Sequence, residues 1–508
     1  MLFNSLHKYF LGVSLALLMC QCNSSKLIQV NILQTNDVYE IAPLEGGKTG
    51  GMARLAQVKK DLSAQNPNTI SVLAGDFLNP SVLGTLSFEG SRIQGKQMIE
   101  AMNSAGIDLV TFGNHEFDLK EPDLLKRIDE SNFGWIIANA SYIKQGTKAP
   151  FQQKGQVVPA YHIKEFKNQE GKTFKIGFIG ICLNMNQPNY VSFEDPIQSF
   201  KEVYESIKNE VDMVIGLTHQ NLEEDKALAA AIPEIKLILG GHEHDNVLQL
   251  VGNVRITKAD ANAKSAYIHR VSYNPESKKV KLKSQLKTLN EQIPFEPNTQ
   301  QIVQKWTKIA DEALRKEGIN PNEVLITLKE PLDARESFIR NQPSPIGQLI
   351  AKAAASAYPE ARGAILNVGS IRIDDFLSGQ ITQYDVARLL PFGGGVILVE
   401  MKGSLLLKTI EVGRTLNIGK GGFLEFDNIT FDSANKQATI QGQAIDPNQN
   451  YKIAMPAFLI TGRETNLSFL SRENPEVIQV TEPDASAPGI QKDIRLALIE
   501  FLKNNPLK

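Results

Sequence analysis

LIQVNILQTNDVYEI (residues 27–41) reads as an apolar run that stops at a carboxylate, Asp37. A buried strand ends this way when it holds a polar group at its tip. Five later stretches share the grammar: NTISVLAGD (68–76), GIDLVTFGNH (106–115), GWIIANA (134–140), TFKIGFIGI (173–181) and DMVIGLTH (212–219). A sixth, IKLILGGHEH (235–244), adds two histidines. All of these runs read as strands. Helical patterns, GKQMIEAMNSA (95–105) and SFKEVYESIKN (199–209), lie between some of them. Strands alternating with helices predict layered α/β sheets.

The chain has 508 residues, 42% hydrophobic and 22% charged, with a net charge of −2. That length predicts two or three domains. The balance is that of an ordinary globular protein, without the basic excess that a nucleic-acid polymer as partner would favour. Residues 26–295 are expected to form the first α/β domain. EPNTQQIVQKWTKIADEALRKE (296–317) predicts a long amphipathic helix inside a connector over 296–322. A separate α/β domain is expected over 323–508.

The N-terminus differs from the rest. FLGVSLALLM (10–19) is too short to span a bilayer comfortably and has the look of a signal-peptide core. A buried N-terminal helix is the structural alternative, but the run has no amphipathic period. Residues 1–25 resemble a bacterial lipoprotein signal and tether, with Leu17 three residues before Cys20. Cys22 is a second candidate for lipidation, and Met19 or Gln21 stands where a small residue is usual. The expected location is a bacterial cell envelope, periplasmic or surface, with a lipid anchor as the only membrane contact. Cys182 follows an apolar run and reads as a buried small hydrophobe.

The polar residues gather at strand ends. Four of the seven histidines fall in GNHEFD (113–118), LTH (217–219) and GGHEHD (240–245). TND (35–37) and AGD (74–76) add carboxylates. A lone histidine at a strand end is more often a satisfied structural group, and a lone AGD is usually a turn. Five such ends in one domain suit mixed oxygen and nitrogen ligation of divalent transition ions.

LQTNDVYEI, AGDFLNPS, FGNHEFD, GLTHQNLEED and GGHEHD together resemble the calcineurin-like metallophosphatase domain of the 5′-nucleotidases. LNVGSIR (366–372) and LPFGGG (390–395) resemble the C-terminal domain of the same two-domain group. The resemblance implies an αββα metallophosphatase domain, a connector helix and a separate α/β substrate domain. It implies two divalent metal ions (Mn, Zn, Co or Fe), with Asp76 bridging them. Asn114, His219 and His242 would complete one site, and Asp37 and His244 belong to the other. His115 and Asp118 match the family's catalytic dyad. The implied reaction is hydrolysis of a nucleotide or other phosphate ester by in-line attack of a metal-activated water.

One position departs from the pattern. The family has Asp-x-His where this chain has Asp37-Val38-Tyr39. A neutral phenol is a poor ligand for Mn²⁺ or Zn²⁺, and ionising it near neutral pH needs a strong Lewis acid. Three readings stay open: a first site completed by water, a more acidic metal with Tyr39 as phenolate, or a weak site filled with substrate present. The first is favoured.

The second domain is expected to select the substrate. By resemblance Arg340, Asn367 and Arg372 contact polar substrate groups, and arginine's planar fork suits phosphate. Phe392 and Phe458 match the two aromatics that clamp a base. Glu464 stands where the family has an aspartate on the ribose. A 2′,3′-cyclic phosphodiesterase, a UDP-sugar hydrolase and a thiosulfohydrolase share the fold. A surface lipoprotein that mainly binds is the alternative from another class, supported only by the anchor. No protein partner is expected.

Overall fold

The computed structural model describes residues 27–185, 187–484 and 486–505. Cys20 and Cys22 lie outside the described residues. The chain packs as two units, one up to Gly84 with Ile93–Thr307, the other of Thr85–Arg92 with the chain from Lys308 onward.

Among the described residues, the first unit carries twelve main strands. They are β1 (Ile28–Thr35), β2 (Thr69–Ala74), β3 (Leu109–Thr111), β4 (Gly134–Ile136), β5 (Tyr161–Lys167) and β6 (Thr173–Cys182), then β7 (Met213–His219), β8 (Leu237–Gly240), β9 (Val247–Val251), β10 (Val254–Lys258), β11 (Ser265–Asn274) and β12 (Lys279–Thr288). They form two six-stranded sheets, β12-β11-β1-β2-β3-β4 and β5-β6-β7-β8-β10-β9. β1 to β4 run parallel, as do β6, β7, β8 and β10.

Side-chain alternation explains how the sheets stack. Val30 and Ile32 of β1, with Val72 of β2, share one core with Ile176 and Phe178 of β6 and Ile215 of β7. The residues Ile179 and Ile181 face the opposite way, toward Phe200 and Ile207 of the helix Pro196–Ile207 and Leu228 of the helix Leu222–Ala231. A strand with period two that is buried on both faces must be apolar throughout, and β6 is so over its second half. Cys182, the free cysteine among the described residues, is buried at its end.

The parallel strands share one direction, so their carboxyl ends lie along one edge of each sheet. Register pairs Thr35 with Leu73, Ala74 with Thr111, and Thr218 with Gly240. The polar residues that follow these ends are thereby gathered at one rim.

The helix Pro297–Lys316 buries Val303, Trp306, Ala310 and Leu314, a stripe at helical spacing. The division between units falls inside it, after Thr307. The second unit is built on a five-stranded sheet whose strands include Gly363–Asn367 at its second position and Asn450–Pro456 in the middle. The helix Pro345–Ser356 starts on Ser344, whose hydroxyl caps Gly347 N, with proline in the first turn. Among the described residues, no helix is long and apolar enough to cross a membrane.

Candidate active site

In the first unit Asp37, Asp76 and His219 offer ligand atoms that lie within 4.8 Å of one another, and all three are buried. Their backbones show how the chain builds the rim. Asp37 (φ 53°), Asp76 (φ 59°) and His242 (φ 84°) occupy the left-handed region. The chain turns sharply as each strand ends, and the side chains supply local hydrogen bonds in return. Asp37 Oδ2 accepts from Asn36 Nδ2 (2.8 Å) and from His242 N (2.9 Å). Two glycines are sterically required. A Cβ on Gly113 would lie 2.1 Å from Asp76 Oδ1, and one on Gly241 would lie 2.3 Å from Ala74 O.

Several buried donor atoms are left over. Asp37 Oδ1, Asn114 Oδ1 and His219 Nε2 have no hydrogen-bond partner. A buried polar atom without a partner costs roughly 1–3 kcal/mol, so three converging at one rim need a common cause. His219 Nε2 stands 3.2 Å from Asp76 Oδ2 and 3.9 Å from Asp37 Oδ1. His219 Nδ1 donates to Ala74 O at 2.7 Å, so in the neutral ring Nε2 carries the lone pair. Lone pairs from one amide oxygen, one carboxylate and one imidazole fit a divalent cation.

Electrostatics agree with an acidic pocket. Burial penalises the His219 imidazolium, yet Asp76 and Asp37 lift its pKa to about 9. Burial also works against the Asp76 and Asp37 carboxylates, but the facing histidines hold both below the usual range. His242 is pushed down to about 4 by burial and by His219.

The other expected residues fall beside this set. His115 N donates to Asp76 Oδ1 (2.8 Å), and His115 Nδ1 meets Asp118 Oδ2 at 2.6 Å. Asn79 Nδ2 also donates to Asp118 Oδ2 (2.9 Å). His244 Nε2 lies 3.5 Å from Asp37 Oδ1 and 3.2 Å from the Tyr39 hydroxyl. Tyr39 is buried, and its hydroxyl donates to Asp76 Oδ2 at 3.0 Å. The phenol is thus hydrogen-bonded to the very carboxylate expected to bridge.

Three residues escaped the reading of the sequence. Glu116 is buried, and its carboxylate accepts from four backbone N–H groups. Oε2 takes Asp76 N (2.8 Å) and Gly113 N (2.6 Å), and Oε1 takes Phe77 N (2.8 Å) and Leu78 N (3.0 Å). It ties the loop after β2 to the loop after β3. Burial, then the Asp76 charge, raise its pKa to about 7. Lys258, fully buried at the end of β10, donates to Gln220 O (2.6 Å) and Gly241 O (2.8 Å) and pairs with Asp225 (3.0 Å) and Glu243. It joins the loops that follow His219 and precede His242. Asn79 is the third. The position of Glu116 inside NHEFD was the available signal for it; Lys258 had none.

The second unit brings its expected residues together in pairs. Arg372 Nη1 reaches Glu336 Oε1 at 3.1 Å, and Arg340 pairs with the same oxygen. Asn367 Nδ2 donates to Glu464 Oε2 (2.8 Å). Phe392 and Phe458 are 59% and 47% exposed, so neither is a core residue.

Residues 30–246 match the calcineurin-like phosphoesterase family, and residues 324–470 match the 5′-nucleotidase C-terminal domain. The chain belongs to the 5′-nucleotidase-like metallophosphoesterases. A 5′-nucleotidase of Vibrio cholerae is 25% identical, over 87% of this chain and 86% of its own length. One of Bos taurus is 26% identical, over 85% and 83%. A solved 5′-nucleotidase precursor of Thermus thermophilus shares the fold, with a TM-score of 0.69 at 20% identity, covering 94% of this chain and 96% of that one. The two-domain α/β architecture of the family is therefore that of this chain. Members are metal-dependent phosphoester hydrolases, and so is this protein. Asp37 Oδ1, Asn114 Oδ1 and His219 Nε2 are oxygen and nitrogen atoms of the kind that bind a divalent metal.

Proposed function

We propose that this protein hydrolyses nucleoside phosphate esters, 5′-monophosphates foremost, to nucleoside and phosphate at a centre of two divalent cations. The observation that carries the proposal is the set of partnerless buried atoms, Asp37 Oδ1, Asn114 Oδ1 and His219 Nε2, around Asp76. Asp76 would be the shared ligand. Asn114, His219 and His242 would hold one cation, and Asp37 and His244 would help hold the other, with Mn, Zn, Co or Fe as the candidates. Cations so held supply Lewis acidity and lower the pKa of a water.

The chain's own groups do the rest. Asp118 accepts the Nδ1 proton of His115, which leaves Nε2 as the nitrogen that meets a phosphoryl oxygen. Asn79 restrains Asp118, and Glu116 fixes the loops that carry Asp76 and His115. The hydrogen bond from Tyr39 to Asp76 supports a protonated phenol, so water rather than phenolate would complete its side of the centre. In the second unit Arg340, Arg372 and Asn367 take polar substrate groups. The exposure of Phe392 and Phe458 supports stacking on a base, which is sequence-tolerant, and Glu464 faces the ribose.

The N-terminal pattern supports an envelope location with lipid on Cys20, or on Cys22, after cleavage. Mass spectrometry of the N-terminal peptide reads this directly.

A substrate panel tests the function. Metal-stripped protein is given Mn²⁺, Zn²⁺, Co²⁺ or Fe²⁺ and offered adenosine 5′-monophosphate, a UDP-sugar, 2′,3′-cyclic AMP and p-nitrophenyl phosphate. The expected best nucleotide substrate is the 5′-monophosphate. Turnover of p-nitrophenyl phosphate alone would leave the hydrolase and remove the nucleotide.

A further inference from the structure

Glu336 carries no role in the reading above, yet it sits on both arginines that the reading assigns to substrate. It opens the short helix Glu336–Ile339, which ends at Arg340. Arg340 lies one turn later and folds back onto Glu336 Oε1. Arg372 comes from the segment after the strand Gly363–Asn367 and reaches the same oxygen, at 3.1 Å. The backbone of Glu336 is itself held in place, because Glu336 N donates to Asp374 Oδ1. All three side chains are mostly covered, 20% exposed for Arg340, 13% for Arg372 and 21% for Glu336. Arg340 Nε is buried without a hydrogen-bond partner. The neighbouring Arg335 is already committed to Asp333 at 2.7 Å and stacks on Phe376.

Two guanidiniums forked around one carboxylate oxygen resemble the arrangement they would make around an oxygen of a substrate anion. We propose that Glu336 is a specificity-determining counter-anion: it occupies the arginine fork in the absence of substrate and offsets part of the fork's positive charge. An incoming anionic group must share the fork with Glu336 or displace it. The subsite therefore favours a ligand that brings less negative charge to the fork, a monophosphate over a diphosphate, because each added charge meets the carboxylate.

This inference rests on the assignment of Arg340 and Arg372 to nucleotide binding. Its test is Glu336→Gln in the full-length, metal-loaded protein. KM is measured for adenosine 5′-monophosphate and for p-nitrophenyl phosphate. Inhibition constants of the mono- and diphosphate are measured against p-nitrophenyl phosphate turnover, which reads binding whether or not the nucleotide is cleaved. The expected result is a fall in the nucleotide-to-p-nitrophenyl-phosphate KM ratio by roughly three- to tenfold, the range for releasing a partly covered ion pair. kcat should move less than KM. The inhibition constant of the diphosphate should fall more than that of the monophosphate, and both should become more salt-sensitive. Glu336→Asp keeps the charge on a shorter stem and should fall between the two; it carries the test if the Gln variant melts early. A KM ratio that stays or rises, or equal gains for mono- and diphosphate, overturns the counter-anion. Nucleotides that inhibit as expected but are not hydrolysed uphold it and remove the nucleotidase reading instead. Nucleotides that inhibit neither protein remove both.

Discussion

The rim of the first unit and the arginine fork of the second are both polar clusters, but they are finished to different degrees. At the rim, Asp37 Oδ1, Asn114 Oδ1 and His219 Nε2 are buried and partnerless, while the backbone around them is tied down by Glu116 and Lys258. At the fork, Arg340 and Arg372 answer to Glu336, and Asn367 answers to Glu464. The first cluster is tied down at its backbone and leaves three buried polar atoms unanswered. The second is internally neutralised and can be retuned by single charge changes. On the proposed function, catalytic power and substrate choice would thus be held by regions with different tolerance for change.

That contrast breaks first at Glu116. Glu116→Ala leaves four backbone N–H groups without their acceptor. The expected loss of stability exceeds about 3 kcal/mol, and metal affinity should fall by roughly 10- to 100-fold, as when a group that orients ligands is removed. Urea unfolding and metal analysis read the two effects. A variant that keeps both shows that the rim does not depend on this carboxylate.

At the fork the effect should be smaller and confined to binding. Arg372→Ala removes a charge-assisted contact, so KM for a nucleotide should rise about tenfold. Phe392→Ala should raise it too, and p-nitrophenyl phosphate should report neither change at that size. Equal losses on both substrates would mean that the second unit does not select.

Acid should weaken the first unit in a predictable window. His269 is fully buried, and burial, then Arg255, push its pKa down to about 3. The unfolded chain binds this proton near 6.5, well above the folded value. The stability is therefore complete above about pH 6.5 and is lost as pH falls toward about 3, by up to about 1.4 kcal/mol per unit. His269→Gln should flatten the slope of unfolding free energy between about pH 7 and about pH 5. An unchanged slope assigns the acid sensitivity elsewhere.

Tyr39 should matter least. Tyr39→Phe removes the hydroxyl's hydrogen bonds to Asp76 (3.0 Å) and His244 (3.2 Å), so metal content should change by less than about fivefold. Wild-type protein should also be colourless when loaded with iron. A visible charge-transfer band that vanishes in Tyr39→Phe would make the phenol a ligand.

Much of this was readable in the sequence, for a physical reason. Parallel strands buried on both faces are apolar throughout, so a carboxylate or histidine at the end of such a run stands out. Asp37, Asp76, Asn114, His219 and His242 were legible on that ground, and the helices at Lys96–Ala105, Pro196–Ile207 and Pro297–Lys316 by their period. Glu116 and Lys258 were not. Each is one charged residue among many, and only the fold shows that it is buried and answered by backbone groups from other loops. Glu336 was hidden for the same reason, since Arg372 lies 36 residues away in sequence. Nor could the chain announce that residues 85–92, set within the first domain's sequence, pack with the second unit.

The donor set around Asp76 should work only when loaded with metal, with His115 acting beside it. Phosphate release from adenosine 5′-monophosphate should be followed in wild type and His115→Ala, before and after chelation and Mn²⁺ return. The account predicts that chelation abolishes wild-type turnover and that Mn²⁺ restores it. His115→Ala should retain its metal yet turn over at least roughly 10²-fold more slowly. Turnover that survives chelation, or a His115→Ala variant as fast as wild type, would contradict the account.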